Sequence, residues 1–205
     1  MHEDGRVTLA LVRHGRTDWN RDDLLQGSSD IPLDDTGRAQ AHEAARALAG
    51  LGRWNAVVCS PLSRARETAE IIAAELRIEV GPSLPDLAER DYGPLEGTSS
   101  GVAAETHPHR DYPGAEPLDA VAARGRRALD AIADAYRDRD VVVVSHGTLI
   151  RYTLVSLAGF PIEGIRNGTV STAERLAGIW TVLTVNGAPC VPAEDEGRRW
   201  PGMPG

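Results

Sequence analysis

The sequence contains no lysine: its 22 basic residues are all arginine, set against 30 acidic residues, for a formal net charge of −8 at pH 7. This absence excludes a P-loop lysine, a Schiff-base lysine and a lysine general base. Any cationic phosphate site must therefore use arginine, whose planar fork suits phosphate oxygens. The acidic balance, with no basic stripe along the chain, argues against a nucleic-acid partner.

Cysteine, aromatic residues and long apolar runs are also scarce. The two cysteines, Cys59 and Cys190, fit neither a disulfide framework nor a zinc-ligand spacing. Residues 1–6 are polar and lack the apolar core of a signal peptide, and no apolar run is long enough to span a bilayer. We therefore expect a cytoplasmic protein with no membrane partner, no metal and no cofactor.

Two short apolar runs each end in a histidine followed by glycine. Val7–Val12 leads into Arg13-His14-Gly15, and Val141–Val144 leads into Ser145-His146-Gly147. An apolar run of this length, stopped by glycine, is typical of a buried strand that enters a loop. Open α/β sheets bind ligands at the carboxyl ends of their strands, so we expect the two histidines to share one site.

Strands and helices alternate along the chain, which predicts a three-layer α/β/α sandwich with a mainly parallel central sheet and one antiparallel edge strand. The predicted strands are 7–12, 54–59, 78–80 and 141–144, with a closing hairpin of 170–173 and 179–185. The predicted helices begin at Asp34, Pro61, Leu118 and Gly147, and the long segment 13–33 is predicted to be a loop. We expect a single domain over 1–205, with a core at 7–186, an irregular cover at 84–117 and a flexible tail at 187–205.

The predicted strand ends supply cations and imidazoles. Arg13 and His14 leave the first strand, Arg64 follows the second, and His146 leaves the fourth. Gly147 opens a helix whose free N–H groups favour an anion. Together these groups predict a pocket for a dianionic phosphoryl group, in which nearby positive charge keeps an imidazole neutral and nucleophilic. Glu89, at the start of the cover, is the best candidate for the proton donor.

Six sequence pieces in this order resemble the histidine phosphatase superfamily, in the branch that includes cofactor-dependent phosphoglycerate mutases and their phosphatase relatives. The pieces are Arg13 to Asn20, Gln26 to Leu33, Gly37 with Gln40 and Ala41, Ser60 to Ala69, Glu89 to Gly97, and Ser145 to Gly147. The resemblance covers about residues 7–186 and implies the phosphoglycerate mutase-like fold.

The resemblance also implies roles for individual residues. His14 would be the phosphorylated nucleophile, and Glu89 would be the general acid and then the base that activates water. Arg13, Arg64 and His146 would hold the phosphoryl group. The expected substrate-binding residues are Asn20, Thr17, Gln26, Gly27 and Gly147. Arg16 departs from the acidic residue or glutamine common in the family at its position.

The family contains mutases and phosphatases, and the cover is the feature that favours one of them. Typical mutases carry a longer insertion between the positions of Glu89 and His146, and they commonly have histidine where this chain has Asp91. A short cover admits water, so the expected enzyme is a phosphomonoesterase of the histidine acid phosphatase type, acting on a small phosphorylated metabolite. A phosphoglycerate mutase and a non-catalytic phospho-ligand binder are the alternatives.

The sequence leaves substrate and assembly open. Arg110, Tyr112 and Glu116, in the cover, are candidates for substrate selectivity. The pair His107 and His109 invites a metal site, but the sequence places no third ligand. The family includes monomers, dimers and tetramers, so a homodimer is compatible with the sequence.

Overall fold

A computed structural model describes residues 5–191, which form one seven-stranded sheet with helices on both faces. The strands are β1 (Val7–Arg13), β2 (Ala56–Cys59), β3 (Val80–Ser83), β4 (Val141–Ser145), β5 (Val170–Leu176), β6 (Ile179–Val185) and β7 (Ala188–Pro189). The helices are α1 (Asp18–Arg21), α2 (Asp35–Leu51), α3 (Ser63–Leu76), α4 (Ser100–Thr106), α5 (Leu118–Ala135) and α6 (Gly147–Ala158).

The strand order is β3-β2-β4-β1-β5-β6-β7, with parallel pairing from β3 to β1 and antiparallel pairing from β1 to β7. The mainly parallel sheet is confirmed. Two strands run against the others: β7, at the predicted antiparallel edge of the sheet, and β5, inside the sheet between β1 and β6. After a tight turn at Ala177 and Gly178, the chain continues as β6, which pairs with β5 on the side away from β1.

Alternate side chains of the buried strands point to opposite faces of the sheet and pack into two separate cores. Helices cover both cores, so the fold has three layers. Leu9 and Leu11 pack with α5 and α6 on one face, whereas Ala10 and Val12 pack with α2 and α3 on the other. Every residue of Val141–Val144 is fully buried, as expected for a strand covered on both faces.

Asp34 caps α2 as predicted, and its carboxylate accepts from the Gly37 N–H. Three other local predictions were wrong. The capping box between Thr17 and Asn20 forms the short α1 inside the predicted loop. Helix α3 begins at Ser63 rather than Pro61. The edge strand runs through Gly81 and Pro82, since a proline at a sheet edge need not donate to a ladder.

The cover, 84–117, contains two single 3₁₀ turns, Pro85–Leu87 and Gly93–Leu95, and the short helix α4. It has its own apolar cluster, in which the Arg90 guanidinium lies against the rings of Tyr92 and Tyr112 at 5.2 and 5.0 Å. The tail 187–205 was predicted to be flexible, but Ala188–Pro189 forms strand β7 against β6, and 192–205 lie outside the described residues. Within 5–191, no helix is both long enough and apolar enough to cross a membrane.

Candidate active site

The two histidines meet because β1 and β4 are neighbouring parallel strands that end in register. Arg13 pairs with Ser145, and the His14 N–H donates to the Ser145 carbonyl at 2.9 Å. The imidazole rings of His14 and His146 lie 5.0 Å apart between centroids and are tilted by 59°. The sheet register therefore brings the two predicted site histidines together.

The ring of His14 has a defined orientation. Its Nδ1 lies 2.7 Å from the Gly15 carbonyl oxygen, which can only accept, so Nδ1 carries the proton and Nε2 keeps its lone pair. Burial holds the pKa of His14 well below its usual range, and the positive charges of Arg64 and Arg13 lower it further. His14 is therefore a neutral imidazole with one free nitrogen at neutral pH.

The two arginines are held by backbone carbonyls instead of carboxylates. Arg13 Nη1 donates to the Ile165 carbonyl at 2.7 Å, and Arg64 donates to the carbonyls of Gly27 and Ser29, both at 2.8 Å. Arg64 is fully buried, and burial lowers its pKa to about 10. Both Nε atoms are buried and lack a partner among the described residues. Since a carbonyl carries no net charge, both positive charges remain available to a bound anion.

Glu89 caps the start of α6. Its Oε1 accepts from the N–H groups of Arg90 and Leu149, and its Oε2 accepts from the Thr148 N–H at 3.0 Å. The sequence predicted free N–H groups for an anion at this helix end. The structure corrects that expectation, because the N–H groups of Thr148 and Leu149 already donate to the Glu89 carboxylate.

A small amide network lies beside the histidines. Thr17 Oγ1 and Asn20 Nδ2 both donate to Gln26 Oε1, which leaves the buried Gln26 Nε2 without a partner in the described range. Asn167, which the sequence did not single out, donates to Asn20 Oδ1 and the His14 carbonyl, both at 3.0 Å. The network presents amide donors beside His14.

A cavity of about 340 Å³ opens at this end of the sheet. Its lining includes six of the predicted site residues: Arg13, His14, Asn20, Gln26, Glu89 and Gly147. The remaining four, Arg64, His146, Thr17 and Gly27, are not part of the lining. Arg64, His146 and Thr17 are fully buried.

The selectivity candidates divide between the cavity and the interior of the cover. Arg110 lines the cavity, as do Arg151 and Tyr152 from α6, which the sequence did not indicate. Tyr112 is buried in the cover, and Glu116 pairs with Arg124 at 2.8 Å. Neither Tyr112 nor Glu116 lines the cavity, and both contribute to the packing of the cover.

Arg124 is a further residue that the sequence did not reveal, because it occupies an ordinary polar position on helix α5. Its guanidinium donates two hydrogen bonds to the Glu116 carboxylate and further ones to the carbonyls of Asp86, Ala88 and Glu89. This clamp fixes the backbone that carries the Glu89 side chain.

The pair His107 and His109 does not build a metal site. His107 bonds to Thr106 and lies edge-on to Tyr112 at 5.7 Å. Between residues 5 and 191, no group of three or more His, Cys, Asp or Glu side chains is placed to hold a metal ion.

Comparison with known proteins places this geometry in a family. The histidine phosphatase superfamily (branch 1) matches over residues 9–187. The chain is 38% identical to an uncharacterized phosphatase, PhoE, of Bacillus subtilis, over 88% of this chain and 94% of that one. It is 35% identical to phosphoglycerate mutase-like protein 4 of Arabidopsis thaliana, over 85% and 82% of the two chains.

Solved structures agree with the sequence comparisons. Bacillus stearothermophilus YhfR superposes with a TM-score of 0.79 at 25% identity, over 90% of this chain and 98% of that one. The names of the relatives indicate a phosphatase or another phosphoryl-transfer enzyme.

Proposed function

Because the chain belongs to branch 1 of the histidine phosphatase superfamily, we propose that it is a metal-independent phosphatase for small phosphomonoesters. The observation that carries the proposal is the free Nε2 of His14 in a cavity that Glu89 also lines. A nucleophile and a proton carrier thus share one space with the positive charge of Arg13. This arrangement is what stepwise phosphoryl transfer requires.

In the first step, His14 Nε2 attacks the phosphorus and the bond to the ester oxygen breaks. Glu89 gives its proton to the departing oxygen. Its Oε2 is the atom suited to this transfer, since Oε1 accepts two N–H groups whereas Oε2 accepts one. Arg13, Arg64 and His146 stabilise the charge on the other phosphoryl oxygens in place of a metal.

In the second step, the Glu89 carboxylate takes a proton from water as the water oxygen attacks the phosphohistidine. The P–N bond breaks, inorganic phosphate leaves, and Glu89 again holds its proton. The Nδ1–H of His14 donates to the Gly15 carbonyl throughout and keeps Nε2 pointed at the phosphorus. Asn20, Gln26 and Gly147 line the cavity and are proposed to contact the substrate.

Hydrolysis is preferred to mutase chemistry because the cover is short. It contributes one short helix and two single turns, and the cavity above His14 stays open to water. A mutase must protect its phosphohistidine from water until the second acceptor binds. A pure binder would need neither the nucleophile nor the proton carrier.

The cavity wall also suggests the substrate class. Neither Arg110 nor Arg151 forms an ion pair within the described residues, and their side chains reach the same cavity as His14. A leaving group with its own anionic group would complement them. We place the reaction in the cytoplasm, which the unlinked Cys59 and Cys190 support.

The test is phosphate release from a panel of small phosphomonoesters in excess EDTA, combined with alkaline trapping of ³²P-phosphohistidine after rapid mixing. We expect turnover in EDTA, and we expect His14→Ala to lose both the label and at least about 10⁴-fold in kcat. The exposed histidine substitution His42→Ala is the matched control. Interconversion of phosphoglycerates after priming with a bisphosphate, without phosphate release, would establish the mutase alternative.

A further inference from the structure

Ser60, which the mechanism above does not use, forms a buried pair with His146. Ser60 follows β2 and His146 follows β4, the strand beside it, and both side chains are fully buried. The Ser60 Oγ lies 2.8 Å from His146 Nε2. The other nitrogen of the ring, Nδ1, is buried and has no partner among the described residues.

The direction of the Ser60–His146 hydrogen bond follows from counting donors. The Ser60 oxygen already accepts from the Leu62 N–H at 3.3 Å, and that group cannot accept in return. The hydroxyl proton therefore has one acceptor in the described surroundings, the lone pair of His146 Nε2. In a neutral imidazole, an accepting Nε2 requires that Nδ1 carries the ring proton.

The opposite tautomer would leave two groups unsatisfied. With the proton on Nε2, the Ser60 hydroxyl proton would have no acceptor, and Nδ1 would present a buried lone pair. Burial, the charge of Arg64 and the neighbouring His14 all lower the pKa of His146, which keeps its ring neutral and makes the tautomer matter. A lone pair beside His14 would repel phosphoryl oxygens, whereas an N–H would donate to them.

We propose that Ser60 is a positioning residue that sets the tautomer of His146 so that Nδ1–H donates to the phosphoryl group during transfer. The activity part of this inference rests on the proposed phosphatase function. The tautomer part does not, because it concerns the free protein.

The experiment reads the tautomer and the activity separately. Two-dimensional ¹⁵N–¹H spectra of ¹⁵N-histidine-labelled full-length protein report which ring nitrogen of His146 is protonated, first alone and then with inorganic vanadate as a phosphoryl probe. We expect Nδ1–H in the native protein, and in Ser60→Ala a shift toward the Nε2–H form. His146→Gln assigns the resonance.

For activity, we expect Ser60→Ala to lower kcat about tenfold or more with KM changed less, the effect of one hydrogen bond to the transferring group. Ser60→Thr, which keeps the hydroxyl, restores the tautomer and most of kcat. The remote hydroxyl variant Ser156→Ala is the control and keeps the native kcat.

Three outcomes would overturn the inference. The first is Nε2–H in the native protein, which needs no variant to fold. The second is a kcat for Ser60→Ala within twofold of native, and the third is a loss of kcat with the His146 tautomer unchanged. Native protein that shows Nδ1–H but hydrolyses no phosphomonoester would instead overturn the proposed function and leave the tautomer assignment standing.

Discussion

At the scale of single residues, the position of Arg64 depends on a glycine. Gly27 supplies one of the two carbonyls that hold the buried guanidinium, and an added Cβ there would overlap Glu96 Oε1 and the Arg90 carbonyl oxygen. Glu96 in turn accepts hydrogen bonds from Ser28 and Ser29 and fixes the loop that contains the second carbonyl. No side chain therefore fits at position 27 unless this loop moves.

We predict that Gly27→Ala destabilises the protein by about 1–3 kcal/mol, the usual cost of overpacking, and lowers kcat because Arg64 loses its support. Urea unfolding and steady-state kinetics measure the two effects. Gly50→Ala is the matched control, since a Cβ there meets nothing within 4 Å in helix α2, and it should stabilise by about 0.5–1 kcal/mol. Equal behaviour of the two variants would contradict the prediction.

The buried histidines predict a dependence of stability on pH. Burial lowers the pKa of His14 and His146 well below the value of about 6.5 that applies to the unfolded chain. Below pH 6.5 the unfolded chain binds protons that the folded protein does not. The stability that each neutral ring contributes is thus complete above pH 6.5 and is lost as the pH falls toward the folded pKa.

We expect the free energy of unfolding of native protein to fall between pH 7.5 and 5.5, with a slope of up to about 1.4 kcal/mol per pH unit for each histidine. In His14→Ala the fall should be smaller by the contribution of one buried histidine. In the exposed control His42→Ala the fall should be nearly the same as in native protein. Urea titrations at the two pH values measure this. A fall in His14→Ala as large as in native protein would contradict the assignment of His14 as a buried neutral ring.

At the scale of secondary-structure elements, the sequence predicted what depends on local pattern. Four consecutive valines identified β4, and the Arg13-His14-Gly15 and Ser145-His146-Gly147 endings predicted adjacent strand ends. Partnerships between distant side chains were not predictable. The sequence predicts that the first N–H groups of α6 attract an anion. Whether that anion is a ligand or a carboxylate of the chain depends on how the cover packs, and in the structure it is Glu89.

The contacts of Arg124 were likewise not predictable from the sequence. A helical arginine at a polar position is usually solvated, and its bonds to 86, 88 and 89 exist only because α5 packs against the cover. We predict that Arg124→Gln lowers kcat about tenfold or more with a smaller change in KM, since a loosened backbone misplaces the Glu89 carboxylate. Steady-state kinetics and thermal melting measure the effect.

Arg126→Gln is the control for that prediction, because Arg126 lies on the same helix and its one ion pair among residues 5–191 is the longer contact with Asp130, at 3.8 Å. It should keep the native kcat. If Arg124→Gln changed the melting temperature alone, the Arg124 clamp would be part of the scaffold and would not position Glu89.

At the scale of the whole molecule, the charge is distributed unevenly. The chain carries a net charge of −8, yet Arg64 is fully buried at the site, and Arg13, Arg110 and Arg151 line the cavity. Four parts of the fold supply these cations: the end of strand β1, the cover, helix α3 and helix α6. A substrate in the cavity lies near several of these cations, and displacement of water there strengthens their effect.

This distribution predicts a preference among phosphomonoesters of similar size. 3-Phosphoglycerate, with a carboxylate, should have a lower KM for hydrolysis than glycerol 3-phosphate, which has a hydroxyl at that end. Arg151→Gln should raise KM about tenfold for 3-phosphoglycerate, the loss of a charge-assisted hydrogen bond, and less than twofold for glycerol 3-phosphate. Arg77→Gln, on the far end of α3, is the control and should change neither. An equal rise for both substrates would show that Arg151 acts on the phosphoryl group or on the fold, because only a contact with the leaving group can separate two esters that share the same phosphate.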